Sequence, residues 1–255
     1  MRLASWNVNS IRMREQALLD WLRQNEPDTV CLQETKVVDE DFPTDELQRL
    51  GYAVAIAGQP AYNGVAIATR LPIRDVRIGL LEDVPSAERR FIAATVGDVR
   101  VVNVYVPNGK SVASPAFQEK LRWLARLRAT LDASASAQQP LLVCGDFNIA
   151  LHERDVFDPE RLRGRLHFHP DEQSALRALL DFGLVDAYRH FHPQTACYSW
   201  WDYRSGSFER DEGLRIDYVF VTPPLLARCT DARIDVAPRT ASKPSDHVPV
   251  VLDYD

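Results

Sequence analysis

The chain has 255 residues, of which 45% are hydrophobic, and its formal net charge is -6 at pH 7. This length fits either two small domains or one large one, and the hydrophobic share is enough to build a substantial core. The acidic total argues against a protein that is basic over its whole surface, as many nucleic-acid-binding proteins are, but it leaves room for a local basic face.

Hydrophobic periodicity predicts strands and helices that alternate along the chain. The strand-like runs are almost continuously apolar, whereas the helical segments carry one apolar stripe, as at Phe117, Leu121 and Leu124. In chain order we predict strand 3–6, helix 14–25, strands 28–33, 52–57, 64–69, 90–96 and 99–106, helix 115–131, strand 140–145, helix 171–183, and strands 216–221 and 248–254. Apolar strands beside amphipathic helices indicate an α/β protein whose sheets are covered by helices.

The segment at residues 132–140 is rich in Ala, Ser and Gln and is typical of an exposed loop. It is too short, and too closely framed by core elements, to mark a domain boundary. No internal repeat of family length is evident in the sequence. We therefore expect residues 1–255 to form a single domain.

The cysteines and the first residues indicate the compartment. The first ten residues, MRLASWNVNS, lack the apolar segment of a signal peptide, and no apolar stretch approaches the ~20 residues that a membrane-spanning helix needs. The cysteines show no C-x-x-C spacing that would suggest zinc or a redox pair; they are Cys31, Cys144, Cys197 and Cys229. We expect a cytoplasmic monomer with reduced cysteines and no membrane association.

Polar side chains stand at the ends of several predicted strands. In GDFN, residues 145–148, Asp146 and Asn148 directly follow the apolar run 141–144. Taken alone this stretch is most simply a turn, because Asp and Asn bond to their own backbone. Other strand ends carry Asn7, Glu34, Tyr105, Asn108, Asp217, Asp246 and His247. Strand ends at one edge of a layered α/β protein surround a common crevice, so we expect these side chains to converge.

The chemistry of these side chains suits a metal-assisted reaction on phosphate. Carboxylate and amide oxygens are the ligands that Mg²⁺ and Mn²⁺ prefer, and no His/Cys cluster favours zinc. One histidine beside several acids fits hydrolysis of a phosphate ester, in which metal, carboxylate and imidazole supply charge, activate water and stabilise the phosphoryl oxygen. Each residue also has a structural explanation, such as a solvated strand end or a capping residue.

Six motifs resemble, in order, those of the exonuclease III class of apurinic/apyrimidinic (AP) endonucleases, within the endonuclease/exonuclease/phosphatase superfamily. They are SWNVNSIR (5–12), LQETK (32–36), NVYVPNG (103–109), GDFN (145–148), GLRIDYVF (213–220) and KPSDH (243–247). The match extends from residue 2 to about residue 252, and SWWDYRSGSF (199–208) narrows it to the DNA-repair branch. The resemblance implies a four-layered α/β sandwich, with two packed mixed β-sheets flanked by helices.

The resemblance also implies an activity and a cofactor. A member of this class is expected to be a Mg²⁺-dependent phosphodiesterase that cuts duplex DNA 5′ of abasic sites, with 3′–5′ exonuclease and 3′-phosphodiesterase activities. Its substrates are then duplex DNA with abasic sites or damaged 3′ ends, and Mn²⁺ is a possible substitute for Mg²⁺. Carried over by motif, Asn7 and Glu34 would hold the principal metal with Asp246 close by, and a second metal would use Asp146 and Asn148.

The catalytic roles carry over in the same way. Asp146 would orient or deprotonate the attacking water, and Asn148 would bind the phosphate and help to place Asp146. Tyr105 would contact the scissile phosphate or assist the leaving oxygen. His247, oriented by Asp217, would stabilise the negative charge on phosphorus, and the pairing would raise the pKa of the imidazole.

DNA contacts are predicted from the resemblance and from local clusters of basic residues, among them Arg89 with Arg90. An apolar pocket for the sugar of a base-free nucleotide would be formed by Trp200, Trp201 and Leu214, although Trp201 is bulkier than the Phe expected there. Among polar and basic side chains, the expected contacts to DNA are Lys36, Arg90, Asn108 and Arg204, and Arg210 and Arg215 lie close to Arg204 in sequence.

The segment 149–172 departs from the family pattern, since many members have a proline near Leu151 and no histidine at His169. His167 and His169 are the two histidines of this segment that merit testing. The departure leaves open a protein that mainly trims 3′ ends and incises AP sites weakly. Two further alternatives are a phospholipid or inositol-phosphate phosphodiesterase of the same superfamily, which does not explain SWWDYR, and a non-catalytic DNA-binding relative, which would be expected to have lost a catalytic position.

Overall fold

Twelve strands arrange in two sheets in a computed structural model that describes residues 1–84 and 87–255. In chain order the strands are Arg2–Asn7 (β1), Thr29–Gln33 (β2), Ala53–Ala57 (β3), Val65–Thr69 (β4), Ile73–Ile78 (β5), Phe91–Val96 (β6), Val99–Tyr105 (β7), Leu141–Asp146 (β8), Val185–Asp186 (β9), Asp217–Val221 (β10), Cys229–Ile234 (β11) and Val250–Tyr254 (β12). The first sheet has the order β11-β12-β1-β2-β4-β3, and the second has the order β5-β6-β7-β8-β10-β9. Both sheets are mixed, because β1 and β2 pair in parallel, as do β7 and β8, and the other pairs are antiparallel.

Helices flank the two sheets. In the described residues they are Ile11–Asn25 (α1), Thr44–Arg49 (α2), Pro115–Ser134 (α3), Pro159–Leu162 (α4), Pro170–Leu180 (α5), Ala187–Phe191 (α6) and Pro223–Leu226 (α7). The apolar face of α1 packs on the first sheet, and those of α3 and α5 pack on the second. A third cluster of apolar side chains lies between the two sheets. The predicted four-layered α/β sandwich is confirmed.

The apolar strands of the sequence all lie in the sheets, and the strands that the periodicity missed lie at sheet edges. Strands β5, β9 and β11 were not predicted; β5 and β11 have mixed polar and apolar residues and are only partly buried, because an edge strand has one open side. Helix α1 begins three residues before the predicted start, and α3 extends to Ser134, into the predicted loop. None of the helices in the described residues is long and apolar enough to cross a membrane. The single-domain assignment for residues 1–255 stays a prediction.

The parallel pairs in each sheet bring the polar strand ends together. Asn7 ends β1 and Glu34 follows β2, so the two lie at the same edge of the first sheet. Asp146 ends β8, where it is in register with Tyr105 of β7 and with Asp217 of β10. The carboxyl ends of parallel strands meet at one edge, and this edge is therefore shared by residues far apart in sequence.

A buried amide pair links the two sheets beneath this edge. Gln33 Nε2 donates to Asn103 Oδ1 (2.7 Å), and Asn103 Nδ2 donates to the carbonyl oxygens of Leu32 and Ala66 (2.9 Å each). Both side chains are fully buried, so these hydrogen bonds form away from competing water. The pair therefore fixes how the edge of one sheet lies against the edge of the other.

Candidate active site

An asparagine side chain connects the acids of the two sheets. Asn7 Nδ2 donates to Oε1 of Glu34, which follows a strand of the first sheet (2.8 Å), and to Oδ2 of Asp146, which ends a strand of the second sheet (2.9 Å). The other Glu34 oxygen lies 2.9 Å from Lys36 Nζ. Glu34 and Lys36 both have positive φ, of 51° and 58°, so the backbone turns sharply after β2. Asn7, Glu34 and Asp146 thus converge as predicted from their strand ends.

The GDFN stretch forms a turn that holds the Asp146 carboxylate. Gly145 is required here, because a Cβ atom at its φ of 138° would lie 1.9 Å from the Val104 carbonyl oxygen. Asn148, with φ of 55°, donates its backbone N–H to Asp146 Oδ1 (2.8 Å) and its Nδ2 to Asp146 Oδ2 (3.2 Å). Asn148 Oδ1 accepts from Asn108 Nδ2 (3.1 Å). The turn therefore fixes the carboxylate and both amides relative to one another.

His247 completes the buried part of the site. Its Nδ1 lies 2.8 Å from Asp217 Oδ2, and its Nε2 lies 3.7 Å from Asp146 Oδ2. Ser199, which the sequence did not single out, donates its Oγ to the same Asp217 oxygen (2.6 Å). The N–H groups of Ile216 and Asp217 in turn donate to Ser199 Oγ. The imidazole is consequently held on its Nδ1 side, and its Nε2 faces Asp146.

Burial and neighbouring charges shift the pKa values of these groups. Burial, assisted by the charges of Asp217 and Glu34 and opposed by His247, raises the pKa of Asp146 to about 8. Burial alone would lower the pKa of His247, but the charges of Asp217 and Asp146 outweigh it and raise that pKa to about 10. At neutral pH the imidazole is therefore positively charged beside Asp146.

Tyr105 lies at the same edge, and an arginine lies over its ring. The Arg90 guanidinium carbon is 4.7 Å from the centre of the Tyr105 ring. Burial and the charges of Glu34 and Asp146 raise the pKa of the Tyr105 hydroxyl well above its usual value of 10. The phenol is thus protonated at neutral pH and can donate a hydrogen bond.

The donor set at the centre of the site fits a hard divalent cation. Ligand atoms of Glu34 and Asp146 lie within 4.8 Å of each other and of a ring nitrogen of His247. The two carboxylates are ligands that Mg²⁺ and Mn²⁺ prefer, whereas the charged imidazole has no free lone pair for a metal. Asp246 lies to one side, where Asn9 Nδ2 donates to its Oδ1 (2.8 Å) and Trp200 Nε1 to its Oδ2 (3.0 Å).

The three predicted pocket residues do not share one environment. The rings of Trp200 and His247 have centres 6.4 Å apart, and the Trp200 backbone pairs with that of Leu214, so both border the site. Trp201 is buried elsewhere: its Nε1 donates to Asp211 Oδ1 (3.2 Å) and its ring packs edge-on against Phe208. Successive side chains of an extended segment point to opposite sides, which explains the separation.

The segment that departs from the family pattern contributes one ring to this border. The centre of the His167 ring lies 6.1 Å from that of Trp200. Its Nδ1 lies 2.6 Å from the Asn148 carbonyl oxygen, so Nδ1 carries the hydrogen and Nε2 is the acceptor. His169 instead caps α5 through its Nδ1 and packs edge-on against Phe117. His167 is the histidine of this segment that borders the site.

The expected DNA-contacting side chains differ in exposure. Lys36 donates to Asn9 Oδ1 (2.5 Å), next to its contact with Glu34, and Asn108 is bonded to Asn148. Arg204 is 85% exposed and pairs with Asp202 through its Nη2 and Oδ2 (2.6 Å). Arg215 was grouped with Arg204 by sequence, but it is fully buried and cannot contact DNA.

Fold and site define a class of protein. Residues 4–247 match the profile of the endonuclease/exonuclease/phosphatase family, and the chain belongs to that family. It is 35% identical over 266 residues to exodeoxyribonuclease III of Haemophilus influenzae, with 100% of both chains covered. The predicted enzyme of the exonuclease III class is thereby confirmed.

Two solved structures are similar over the whole chain. An AP endonuclease from Archaeoglobus fulgidus is 41% identical with a TM-score of 0.96, covering 100% of this chain and 99% of that one. A 3′ phosphatase from Neisseria bound to a product DNA hairpin is also 41% identical, with a TM-score of 0.95 and the same coverage. The two similar structures carry different activities in their names.

Proposed function

We propose that this protein is a Mg²⁺-dependent DNA-repair phosphodiesterase that incises duplex DNA 5′ of abasic sites and also removes nucleotides and blocking groups from 3′ ends. The observation that supports this most is the placement of Asp146 between Asn7, Asn148 and His247. A carboxylate, an imidazolium and amide donors then surround one space, which suits an anionic phosphodiester and its attacking water. All five proposed catalytic residues are present at this edge: Tyr105, Asp146, Asn148, Asp217 and His247.

Asp146 is the proposed general base. Its carboxylate is buried and fixed by two hydrogen bonds from Asn148 and one from Asn7. Burial raises the pKa of Asp146 above its usual value, so its ionised carboxylate is a stronger base than that of a solvated aspartate. The ionised form of Asp146 is the one proposed to take the proton of the attacking water.

His247, Tyr105 and Asn148 are proposed to bind the phosphate as it reacts. The His247 imidazolium, held by Asp217, donates a charged hydrogen bond to a phosphoryl oxygen. The neutral Tyr105 hydroxyl donates to the phosphate or to the leaving oxygen, and the Asn148 amide binds a second phosphate oxygen. Negative charge that develops on the phosphate oxygens is then stabilised by hydrogen-bond donors that are already in position.

We assign the principal Mg²⁺ to Asn7 and Glu34 with Asp246 close by, and a second ion to Asp146 and Asn148; Mn²⁺ is the expected substitute. When bound, the ion supplies positive charge at the non-bridging phosphate oxygens. The principal ion is thus assigned to residues of the first sheet, and Asp146 of the second sheet is proposed both to move the proton and to hold the second ion.

Duplex DNA is the proposed partner, and Trp200 with Leu214 are proposed to face the base-free sugar. A pocket of this kind accepts an extruded sugar and rejects one that still carries a base. Lys36, Arg90, Asn108 and Arg204 are proposed to contact the DNA, and such contacts position the duplex without reading its sequence. A cytoplasmic monomer is sufficient for this activity.

A second candidate is a protein that mainly processes 3′ ends and incises AP sites weakly. The observation that favours it is the His167 ring beside Trp200, in the segment that departs from the family pattern. A 3′ end terminates in the pocket, whereas an internal abasic site must fit a chain that continues on both sides. A ring at this border therefore restricts the internal site more than the terminal one.

Three duplexes test both candidates: one with an abasic-site analogue, one undamaged with a recessed 3′ end, and one with a blocked 3′ terminus. Each is incubated with Mg²⁺ or with EDTA. The first candidate predicts Mg²⁺-dependent incision of the abasic duplex, and the second predicts faster reaction of the two 3′-end substrates. Absence of metal-dependent cleavage of all three would refute both, and hydrolysis of an inositol phospholipid instead would favour the other branch of the family.

A further inference from the structure

Lys120 of α3 is a buried cation behind the proposed catalytic turn. Its side chain is fully buried. Its Nζ donates to Glu172 Oε1 of α5 (2.5 Å), to the Asn148 carbonyl oxygen (2.7 Å) and to the Asn108 carbonyl oxygen (3.3 Å). An ammonium group has three donors, and here each has its own acceptor. One side chain thus connects two helices with the two loops that follow β7 and β8.

The backbone that Lys120 contacts forms the turn that carries Asp146. Asn148 has φ of 55°, in the left-handed region, which asparagine tolerates better than most residues with a side chain. Its carbonyl oxygen has two partners, Lys120 Nζ and His167 Nδ1 (2.6 Å). The contact from Lys120 is charged and buried, which makes it the stronger of the two.

The loop after β7 is shaped to receive the lysine. Gly109 has φ of 91°, and a Cβ atom built there would lie 3.3 Å from Lys120 Cδ and 3.1 Å from Leu166 Cδ1. A larger residue at position 109 would therefore press on the lysine stem. The Gly109 backbone thus packs against the stem of the Lys120 side chain, and the hydrogen-bond acceptors hold its ammonium group.

We infer that Lys120 is a positioning residue of the active site, whose ammonium group fixes the Asn108 and Asn148 turns and, through them, the Asp146 carboxylate. The connection is short: Asn108 Nδ2 bonds to Asn148 Oδ1, and the Asn148 N–H bonds to Asp146 Oδ1. Glu172 acts as the counter-charge that allows the ammonium group to be buried. This inference rests on the proposed function of the site.

A purely structural role would give a different result. In that case Lys120 and Glu172 only join α3 to α5, and losing either partner would lower stability while the folded fraction kept its turnover. If Lys120 positions the turns, turnover falls in the folded protein whenever the carbonyl contacts are lost. The two roles are separated by a pair of variants that both break the ion pair, of which one keeps the lysine.

The test compares Lys120→Met, Glu172→Gln and the double variant Lys120→Met/Glu172→Gln, which leaves no unpaired buried charge. Urea unfolding curves are used to choose a temperature at which every variant is folded in the absence of urea. At that temperature kcat and KM are measured on the abasic duplex with Mg²⁺. We expect kcat to fall by about 10-fold to 100-fold in both variants that lack the lysine. KM should stay within about threefold of the wild-type value, and Glu172→Gln should keep kcat within about threefold.

Wild-type kcat in the double variant, or an equal loss of kcat in Glu172→Gln, would overturn the inference. The double variant guards against misfolding of Lys120→Met, since it removes both charges together. The wild-type protein in the same assay separates the two levels of failure. If it cleaves none of the duplexes, the proposed function fails and takes the inference with it; if it cleaves and the double variant matches it, only the positioning role fails.

Discussion

His247 Nδ1 and Asp217 Oδ2 lie 2.8 Å apart in the buried floor of the site. Asp217 is in register with Asp146 across β10 and β8, and His247 Nε2 lies 3.7 Å from Asp146 Oδ2. The imidazole therefore lies between two acidic side chains: Asp217, which bonds to it, and Asp146, the proposed general base. This arrangement explains why its positive charge persists to high pH.

We predict that Asp217→Asn lowers the pKa of His247. The charge of Asp217 is the largest of the effects that raise that pKa to about 10, and an opposite charge at this distance contributes about 1–3 pKa units. The measurement is an NMR titration of the His247 ring in metal-free protein. Asp246→Asn is the control and should give a smaller change, since Asp246 contributes least among the named acids. An unchanged midpoint in Asp217→Asn would contradict this account of the imidazole.

Glu34→Gln should weaken the binding of the metal ion and leave the protein folded. Glu34 is the carboxylate of the first sheet in the acidic cluster, and its replacement removes a charged oxygen from the proposed Mg²⁺ site. We expect the Mg²⁺ concentration for half-maximal cleavage to rise by at least about 10-fold. The control is Glu119→Gln on the exposed face of α3, where the side chain is 51% exposed. Identical Mg²⁺ curves for Glu34→Gln and wild type would show that Glu34 does not hold the ion.

Asp155 is predicted to matter for stability. It lies in the segment 149–172, and its carboxylate pairs with Arg215 Nε (2.7 Å) and with Arg189 Nη2 (2.5 Å). Asp155→Asn leaves two buried guanidinium groups short of negative charge, so we expect a loss of about 3–5 kcal/mol in the free energy of unfolding. The control Glu153→Gln breaks an exposed pair with Arg163 and should cost less than about 1 kcal/mol.

The pH dependence of the stability difference between wild type and Asp155→Asn provides a second check. The charges of Arg215 and Arg189 outweigh burial and lower the pKa of Asp155 below its model-peptide value of 3.8. A folded-state pKa below the unfolded one stabilises the fold above the unfolded value, and the stabilisation is lost as pH falls through the folded value. Urea unfolding at pH 7, 5 and 3 should show the gap between wild type and Asp155→Asn narrowing only below about pH 4. A gap that stays constant down to pH 3 would contradict the assignment.

His167→Ala should shift the balance of activities. Removing the ring opens space between Trp200 and the Asn148 turn, which an internal abasic site needs more than a 3′ end does. We expect the ratio of AP-site incision to 3′-end trimming to rise by about 10-fold. The matched control is His169→Ala, since His169 caps α5 and does not border Trp200. Equal ratios in wild type and His167→Ala would remove the support for the second candidate function.

The sequence was sufficient for the layers and for the residues at strand ends. Buried strands such as β8 are easy to recognise in the sequence because residues on both of their faces are apolar. An acidic residue at the end of such a strand must lie at the edge of the sheet. The edge strands β5 and β11 were not predicted, because a strand with one open side can contain charged residues and then lacks a continuous apolar pattern. The separation of Trp201 from Trp200 was not predicted, because adjacent residues of an extended segment face opposite ways and a list of aromatic residues does not show this.

The residues that support the site were harder to find. Ser199 contacts Asp217, and Asp155 contacts Arg189 and Arg215, only in the folded tertiary structure. In the sequence Arg215 resembles a surface charge, and only the structure shows that it is buried. Lys120 did leave a signal, because it lies three residues after Phe117 and four before Leu124, on the buried stripe of α3. A charged residue on an apolar stripe is worth examining for a buried partner.

Asp146→Asn tests the central claim most directly. The change keeps the shape of the side chain and removes its capacity to take a proton, so duplex affinity should remain close to wild type while single-turnover cleavage of the abasic duplex falls by about 10²–10⁴-fold. Affinity is measured on an uncleaved duplex in the presence of Ca²⁺, and Asp98→Asn, at an exposed turn, controls for the substitution itself. Cleavage by Asp146→Asn at close to the wild-type rate would contradict the assignment of Asp146 as the base.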